Sequence, residues 1–370
     1  MAGKIEVQSV HKPAVKRHDI SKLDLAFAMD CTGSMGSYID SARENIRKIV
    51  EEIVASEKSD VRLALVNYRD HPPQDSTFVT QVHDFTASPN TMKGWLSATS
   101  AAGGGDTPEA VADALHDVLK LSWREDATKI CVCISDAPPH GLGDSGDSFP
   151  DGCPAGIDPI NVVNQMAEKG ITLYIAGCEP SITPYKNFFM AIAYNTGGQY
   201  VPLSRAQVLT QVIVGGAQEE MALERLMEEV NEEVNADIAA GRAIDETEMS
   251  RRVHSKMASK GIRSKQLQRN KADLVNAADV PEVSALSKLT NMADIKAAFK
   301  PSTGSERLTY ASRSFGGAPV PMSAPGAPMS AMMSSPAEGE HYDVAEAPIT
   351  IAQSHRMVKK SLARNMVNKK

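Results

Sequence analysis

Residues 23–202 alternate between short apolar runs and amphipathic stretches, and this alternation limits the fold more than any other feature of the 370-residue sequence. The runs are Leu23–Met29, Val61–Tyr68, Lys129–Ser135 and Ile171–Gly177. Between the runs, apolar residues recur at helical spacing, as from Ile39 to Val54. Continuous apolar strands separated by helices are typical of a mostly parallel sheet that is covered on both faces. The sequence therefore predicts an α/β, doubly wound, Rossmann-like fold for this region.

The rest of the chain divides into segments of different composition. We expect a basic N-terminal arm at 1–21, a helical extension without strands at 203–300, a linker rich in Pro, Ala, Gly, Met and Ser at 301–348, and a basic C-terminal segment at 349–370. The linker composition cannot bury enough apolar surface to order itself, so it predicts a disordered tail. The basic segment is expected to form a short helix when bound.

Charge and composition exclude several classes of protein. The net charge is -7, and residues 23–202 hold 24 acidic against 12 basic groups, so the sequence does not predict a nucleic-acid binder. The sequence contains no uncharged apolar run of about 18 residues, so it predicts no membrane span. The start of the chain does not resemble a secretory signal, and the five cysteines are an odd number, so we expect a reducing, cytoplasmic location.

Oxygen-bearing side chains follow three of the predicted elements. Asp30, Thr32 and Ser34 come directly after the first strand. A Gly-rich turn before a helix, which we expect to begin at Pro108, carries Asp106 and Thr107, and Asp136 follows the run that ends at Ser135. Ligand crevices in such folds lie beyond the carboxyl ends of the strands. A set of oxygen donors without Cys or His favours a hard divalent ion such as Mg2+ over zinc.

These motifs resemble those of von Willebrand factor A domains, whose Asp-x-Ser/Thr-x-Ser signature is matched by Asp30, Thr32 and Ser34. The sequences DCTGSMGSYID, VRLALVNYRD, GGGDTPEAVADAL and ISDAPPHG are similar to the A domains attached to alpha-kinases. The resemblance covers about residues 22–202. It implies a mostly parallel sheet with one antiparallel edge strand and a metal-ion-dependent adhesion site.

The resemblance also implies the ligands and the function. Asp30, Thr32, Ser34 and Asp136 would hold Mg2+, or alternatively Ca2+ or Mn2+, directly or through water. Either Thr107 or Asp106 would complete the set. A Glu or Asp of a partner protein would fill the last position, so we expect a non-enzymatic, metal-dependent interaction module. The alternatives are a scaffold that self-assembles into a homo-oligomer or filament, and a regulatory partner or relative of an alpha-kinase.

Other polar residues have plainer interpretations. His71 and His140 suggest catalytic bases, but no nucleophile motif accompanies them, so we interpret both as loop histidines. Four aspartates in the Gly-rich loop do not fit the spacing of an EF-hand and are interpreted as a solvated acidic loop. Residues 203–370 carry no Gly-rich nucleotide loop and no kinase signature, which argues against phosphotransfer.

Overall fold

The computed structural model describes residues 19, 21–302 and 339–366. Most of the expected N-terminal arm and residues 303–338 of the expected linker therefore lie outside the described residues. Within the described part, no helix is both long and apolar enough to cross a membrane.

Six strands form the main sheet, in the order β3-β2-β1-β4-β5-β6. They are β1 (Lys22–Asp30), β2 (Asp60–Tyr68), β3 (Thr80–Thr86), β4 (Thr128–Ser135), β5 (Ile171–Cys178) and β6 (Tyr200–Leu203). All neighbours pair in parallel except β3, which runs antiparallel to β2 at one edge. The predicted α/β sheet with an antiparallel edge strand is confirmed. Because the chain leaves β1 for β2 on one side and later adds β4 on the other, the switch point of the sheet lies at β1 and β4.

Helices cover both faces of this sheet. They are α1 (Gly36–Glu57), α2 (Pro89–Ala98), α3 (Val111–Lys120), α4 (Pro159–Glu168), α5 (Lys186–Asn195) and α6 (Leu209–Glu224). One core cluster joins apolar side chains of α1, α2 and α6 to Leu25 and Phe27 of β1. A second cluster joins α3, α4 and α5 to Ala26 and Ala28 of the same strand. The strict alternation of β1 between the two clusters is why the strand reads as a continuous apolar run.

Asp24 interrupts that run without weakening the strand. Its buried carboxylate accepts hydrogen bonds from Arg62 (Nε, 2.9 Å) and from the backbone and Nε of Arg124 (2.7 and 2.8 Å). A buried carboxylate that is paired in this way avoids the cost of an isolated charge.

The C-terminal part holds further helices and a second, antiparallel sheet with the order β8-β7-β9. The elements are α7 (Met227–Ala239), α8 (Glu246–Ser259), β7 (Arg263–Arg269), β8 (Ala272–Asp273), α9 (Pro281–Leu286), α10 (Met292–Ala298), β9 (Tyr342–Pro348) and α11 (Ile351–Met366). The helices agree with the expected extension, and Asp245 caps α8 by accepting from the backbone N–H of Glu248 (2.8 Å).

Three strands, β7, β8 and β9, lie where the sequence predicts none. The extension contains β7 and β8, and residues 342–348, which we had assigned to the linker, form β9. The side chains of Leu267 on β7 and Tyr342 on β9 are buried in the cluster that contains α6. β7 is largely polar, β9 is short and contains Ala and Pro, and the two pair across about 80 residues of sequence, so no local apolar pattern predicts them.

The turn that precedes α3 also differs from its prediction. The helix begins at Val111 and not at Pro108. The backbone N–H of Glu109 donates to the carbonyl of Pro138 (2.9 Å), and that of Ala110 donates to the carbonyl of Arg69 (2.9 Å). These hydrogen bonds hold residues 108–110 against the neighbouring loops, so the helix starts one turn later.

Candidate metal centre

Asp30 ends β1 at the switch point of the sheet. Its side chain is fully buried, and Oδ1 accepts hydrogen bonds from the backbone N–H (2.9 Å) and the hydroxyl (2.7 Å) of Thr32. Oδ2 is buried and has no hydrogen-bond partner among the described residues. A buried carboxylate oxygen without a donor is costly unless another group satisfies it, and a cation is one such group.

The loop before α3 lies against the turn after β1. The backbone N–H of Gly33 donates to the carbonyl of Gly103 (3.3 Å), and that of Ala102 donates to the carbonyl of Cys31 (3.1 Å). Gly104 has a φ of +82°, and a Cβ placed on it would lie 2.8 Å from Glu109 Oε1 and 3.3 Å from Thr32 Cβ. The glycine therefore lets the loop backbone approach both side chains closely.

The turn after β4 is the third segment at this edge. Asp136 is partly exposed, and its negative charge acts on Asp30. The hydrogen bond from Glu109 to the carbonyl of Pro138 and the parallel bridge from Glu109 to Pro139 tie this turn to the loop before α3. The structure thus brings the three predicted segments together at the carboxyl ends of β1 and β4.

The electrostatics of the site follow from crowding of carboxyl groups in a buried place. Burial and the neighbouring charge of Asp136 raise the pKa of Asp30 to about 7. Burial, with the charges of Asp30, Asp70, Asp106 and Asp136, raises the pKa of Glu109 to about 10. Each shift means that negative charge is unfavourable here without a compensating cation.

The other predicted residues differ in their surroundings. Ser34 and Thr107 are exposed, and the hydroxyl of Thr107 lies near Gly146 of the following loop. Asp106 Oδ2 accepts from the backbone N–H of Ser148 (2.7 Å), while its Oδ1 is buried and has no partner in the described part of the chain. Of the two candidates for the last ligand, Asp106 is therefore the one with a buried, unsatisfied oxygen.

Two further buried carboxyl groups lie at this edge of the sheet, and no motif in the sequence marks them. Glu109 is buried and shares the field of the other acids, and its Oε2 lacks a partner among residues the structure describes. Asp70 follows β2, is fully buried, and has an unpartnered Oδ2 of the same kind. The available signal was the place of Asp70 at the end of a strand next to β1, since strand ends of a parallel sheet share one edge.

His140 belongs to a network beside these acids. Its Nε2 lies 2.7 Å from Asp70 Oδ1, and its Nδ1 lies 2.9 Å from Asp147 Oδ1. Burial opposes the charged form of His140, but the two carboxylates prevail and raise its pKa. Asp147 also accepts from the backbone N–H of Gly141 (2.7 Å), so the network fixes the loop after β4.

The donor set at this edge suits a hard divalent cation. It consists of carboxylate and hydroxyl oxygens, of which Asp30 Oδ2 and Asp106 Oδ1 are buried and unsatisfied within the described residues. Mg2+ and Ca2+ prefer such oxygen ligands, and Mg2+ retains water on its open side. The residues present therefore fit a divalent ion, which would neutralise part of the clustered charge.

Part of the chain is similar to known proteins. Residues 24–142 match the family model described as the von Willebrand factor A domain. The chain is 30% identical over 155 residues to alpha-protein kinase vwkA of Dictyostelium discoideum. The matched region covers 41% of this chain and 24% of that protein. It is 27% identical over 204 residues to an ariadne-like RING finger protein of Acanthamoeba polyphaga mimivirus, covering 52% of this chain and 19% of that protein.

A solved structure of a von Willebrand factor type A protein from Catenulispora acidiphila is also similar, with a TM-score of 0.38 and 15% identity. That similarity covers 55% of this chain and 43% of the other. The matches span about a quarter or less of the two curated relatives, so the activities in their names are those of the larger proteins.

Proposed function

We propose that this chain, whose residues 24–142 match the family model of the von Willebrand factor A domain, is a protein-interaction module that binds its partner through a divalent ion, Mg2+, at the ends of β1 and β4. Such domains are generally interaction modules and not enzymes, and the proposal includes no catalytic step.

The observation that carries the proposal is the buried and unpartnered Oδ2 of Asp30. It lies at the switch point of the sheet, where this class of fold binds its ligands. Its carboxyl group is surrounded by other acids, so binding of a cation would relieve both the unsatisfied oxygen and the repulsion.

The proposed ligands are Asp30, Thr32, Ser34, Asp136 and either Asp106 or Thr107. Asp106 is favoured because its Oδ1 is buried and without a partner in the described structure, whereas Thr107 is exposed. The bound ion would supply positive charge to an otherwise acidic surface. Without it, an acidic side chain of a partner would meet several carboxylates and be repelled. With it, a Glu or Asp of a protein ligand would complete the coordination.

The test is calorimetric titration of Mg2+ into the full chain and into Asp30→Asn. We expect the wild type to bind one ion and the variant to lose binding, because a neutral amide replaces a charged ligand. Asp40→Asn is the matched control, since Asp40 is an exposed aspartate that pairs with Arg43 on α1. The same titration of Asp106→Ala and Thr107→Ala identifies the last ligand.

Unchanged Mg2+ binding by a folded Asp30→Asn protein would contradict the metal assignment. The interaction role has its own readout: a partner captured from cell extract by the wild type should be lost with chelator and absent with Asp30→Asn. If the partner is captured equally in the presence of chelator and by Asp30→Asn, the contact is not bridged by the metal, although the ion site itself would not be contradicted.

We further propose a reducing, cytoplasmic location, which the free state of all five cysteines supports. Self-assembly is less favoured, because β9 and the basic helix α11 pack on the same chain and do not need a second copy. A role beside an alpha-kinase rests only on the resemblance of the domain to part of such a protein.

A further inference from the structure

A second cluster of metal-ligating side chains lies beside the proposed magnesium site and shares no residue with it. His71 follows β2, Asp113 lies in the first turn of α3, and Cys153 lies in the loop between β4 and α4. His71 Nε2 is 2.9 Å from Asp113 Oδ2, Cys153 Sγ is 3.2 Å from the same oxygen, and Sγ is 3.8 Å from Nε2. Three segments 40 to 82 residues apart thus direct one nitrogen, one oxygen and one sulfur to a single point.

The donor types and their spacing suit zinc. Zinc binds His nitrogen and carboxylate oxygen at about 2.0–2.2 Å and thiolate sulfur at about 2.3 Å in tetrahedral geometry, which places ligand atoms about 3.4–3.6 Å apart. The three observed separations lie on both sides of that range. Small side-chain movements would therefore bring all three atoms to the distances that a bound ion requires.

The site combines rigidity with access. The side chains of His71 and Asp113 are 9% and 10% exposed, and Cys153 is partly exposed. The contact of Asp147 with His140 holds the loop that carries Cys153. Gly141 also packs closely on Gly152, since a Cβ added to Gly141 would lie 2.7 Å from Gly152 Cα. An ion could enter from the side of Cys153 without opening the fold.

We propose that His71, Asp113 and Cys153 bind Zn2+, with water at the fourth position. On binding, Cys153 loses its thiol proton and the doubly protonated ring of His71 loses its Nε2 proton, both to solvent, so that a thiolate and a neutral imidazole coordinate the ion. Three protein ligands and one open position are characteristic of accessible zinc sites, whereas structural sites are usually closed by four protein ligands. The ion would also tie the 141–158 loop to the end of β2.

The sequence alone did not indicate this site. Cys131 and Cys133, the two cysteines nearest to each other in sequence, are buried in β4. The other two ligands, His71 and Asp113, are 82 and 40 residues from Cys153 in sequence, and only the fold brings them to it.

The experiment titrates Zn2+ alone, in competition with a chromophoric chelator, into the reduced full-length protein and into Cys153→Ser and His71→Gln. We expect a single site in the wild type and a loss of affinity of more than about 100-fold in each variant, beyond the 10–100-fold typical of an outer-shell change. His83→Gln is the matched control, because His83 lies on the edge strand β3 and stacks on Trp95, away from Asp113 and Cys153 in its contacts. Asp30→Asn should keep zinc binding, which separates this proposal from the magnesium site.

A measurement on the unaltered protein guards against variants that fail to fold. Co2+ should give the intense visible bands of tetrahedral coordination together with a thiolate charge-transfer band. Saturating Zn2+ should slow alkylation of Cys153 at least about tenfold, read by peptide mapping. Stoichiometric zinc binding unchanged in a folded Cys153→Ser protein, absence of the thiolate band, or unprotected Cys153 would each overturn the proposal and leave a hydrogen-bonded cluster without an ion.

Discussion

Gly104 links backbone conformation to the chemistry of the proposed magnesium site. Its φ of +82° is favourable for glycine and strained for other residues, and an added Cβ would lie 2.8 Å from Glu109 Oε1. We expect Gly104→Ala to lower the free energy of unfolding by about 1–3 kcal/mol. It should also weaken Mg2+ binding, because Thr32 and Glu109 must move away from the new methyl group. Chemical denaturation and calorimetry measure the two effects.

Gly94→Ala provides the matched control for that substitution. Gly94 lies inside α2, and an added Cβ would meet nothing within 4 Å. Alanine is a better helix former than glycine by up to about 1 kcal/mol, so this variant should be as stable as the wild type or more so. Magnesium affinity in Gly104→Ala equal to that of Gly94→Ala would show that the loop does not position the ligands.

The individual residues of the site were unequally predictable. Asp30, Thr32 and Ser34 could be identified because they follow an apolar strand in a known spacing. Glu109 and Asp70 are also buried, yet no motif marks Glu109 in the loop before α3 or Asp70 after β2. They lie near Asp30 because strand ends and loops that are distant in sequence converge in the fold, and the spacing of residues along the chain does not show this.

At the level of elements, α11 is the part of the chain whose packing the sequence left most open. The helix lies against α7 and α8, and Met357 and Val358 are fully buried in the cluster formed with them. His355 is also buried: its Nδ1 lies 3.3 Å from Asn276 Nδ2, and its Nε2 has no partner within the described residues. Protonation of this ring would place a charge where only one polar contact exists.

The position of His355 predicts an acid-sensitive contribution to stability. Burial lowers the pKa of His355 below its usual 6.5, although Asp279 and Glu246 oppose the shift and Arg251 and His254 favour it. As the pH falls below about 6.5, His355 becomes protonated in the unfolded chain but stays neutral in the folded chain, so the free energy of unfolding falls. We expect a smaller loss in His355→Gln, measured by urea denaturation from pH 8 to pH 5.

The two proteins are compared by the slope of their unfolding free energy against pH and not by its absolute value, because the substitution itself can change packing. All other titrating groups are common to both proteins and cancel in the difference. Above about pH 7.5 the histidine is neutral in either state, so the two slopes should coincide there. Equal slopes below pH 6.5 as well would contradict the assignment of a buried, neutral His355.

Helices were predictable where an apolar stripe or a cap marked them, as the Asp245 cap marks the start of α8. The pairing of β7 with β9 was not, because a mostly polar strand gains its stability from partners that the sequence places far away. The helix α11 was expected only in a bound state. In the structure its partner is the chain's own extension, which supplies the surface that an isolated basic helix lacks.

At the scale of the whole molecule, the basic residues of α11 pair with acidic residues of the same chain. Acidic residues of α6 meet basic residues of α11: Arg356 lies 3.1 Å from both Glu219 and Glu220, and Arg364 lies 2.7 Å from Glu224. The basic C-terminal segment therefore pairs with acidic residues of α6 within one chain. This pairing joins the last helix to the domain that holds the proposed metal site.

Lys360 is the most deeply buried basic residue of this contact. Its side chain is 2% exposed, and Nζ pairs with Glu220 and with Glu224 Oε2 (3.1 Å). Loss of one partner from a buried ion pair leaves an uncompensated charge, at a cost of about 3–5 kcal/mol. Because Arg356 and Arg364 remain beside the two carboxylates, we expect Lys360→Ala to lose about 3 kcal/mol of unfolding free energy, at the lower end of that range.

The neighbouring lysine makes this prediction specific. Lys359 is 19% exposed and pairs with Glu246 Oε2 at 3.1 Å, so Lys359→Ala should cost no more than about 1 kcal/mol. Denaturation of both full-length variants measures the difference, and hydrogen exchange locates it. If α11 is an integral part of the fold, its amides exchange as slowly as those of α6 in the wild type and much faster in Lys360→Ala. Equal stabilities for the two variants would mean that the buried pair contributes little and that apolar contacts alone hold α11 in place.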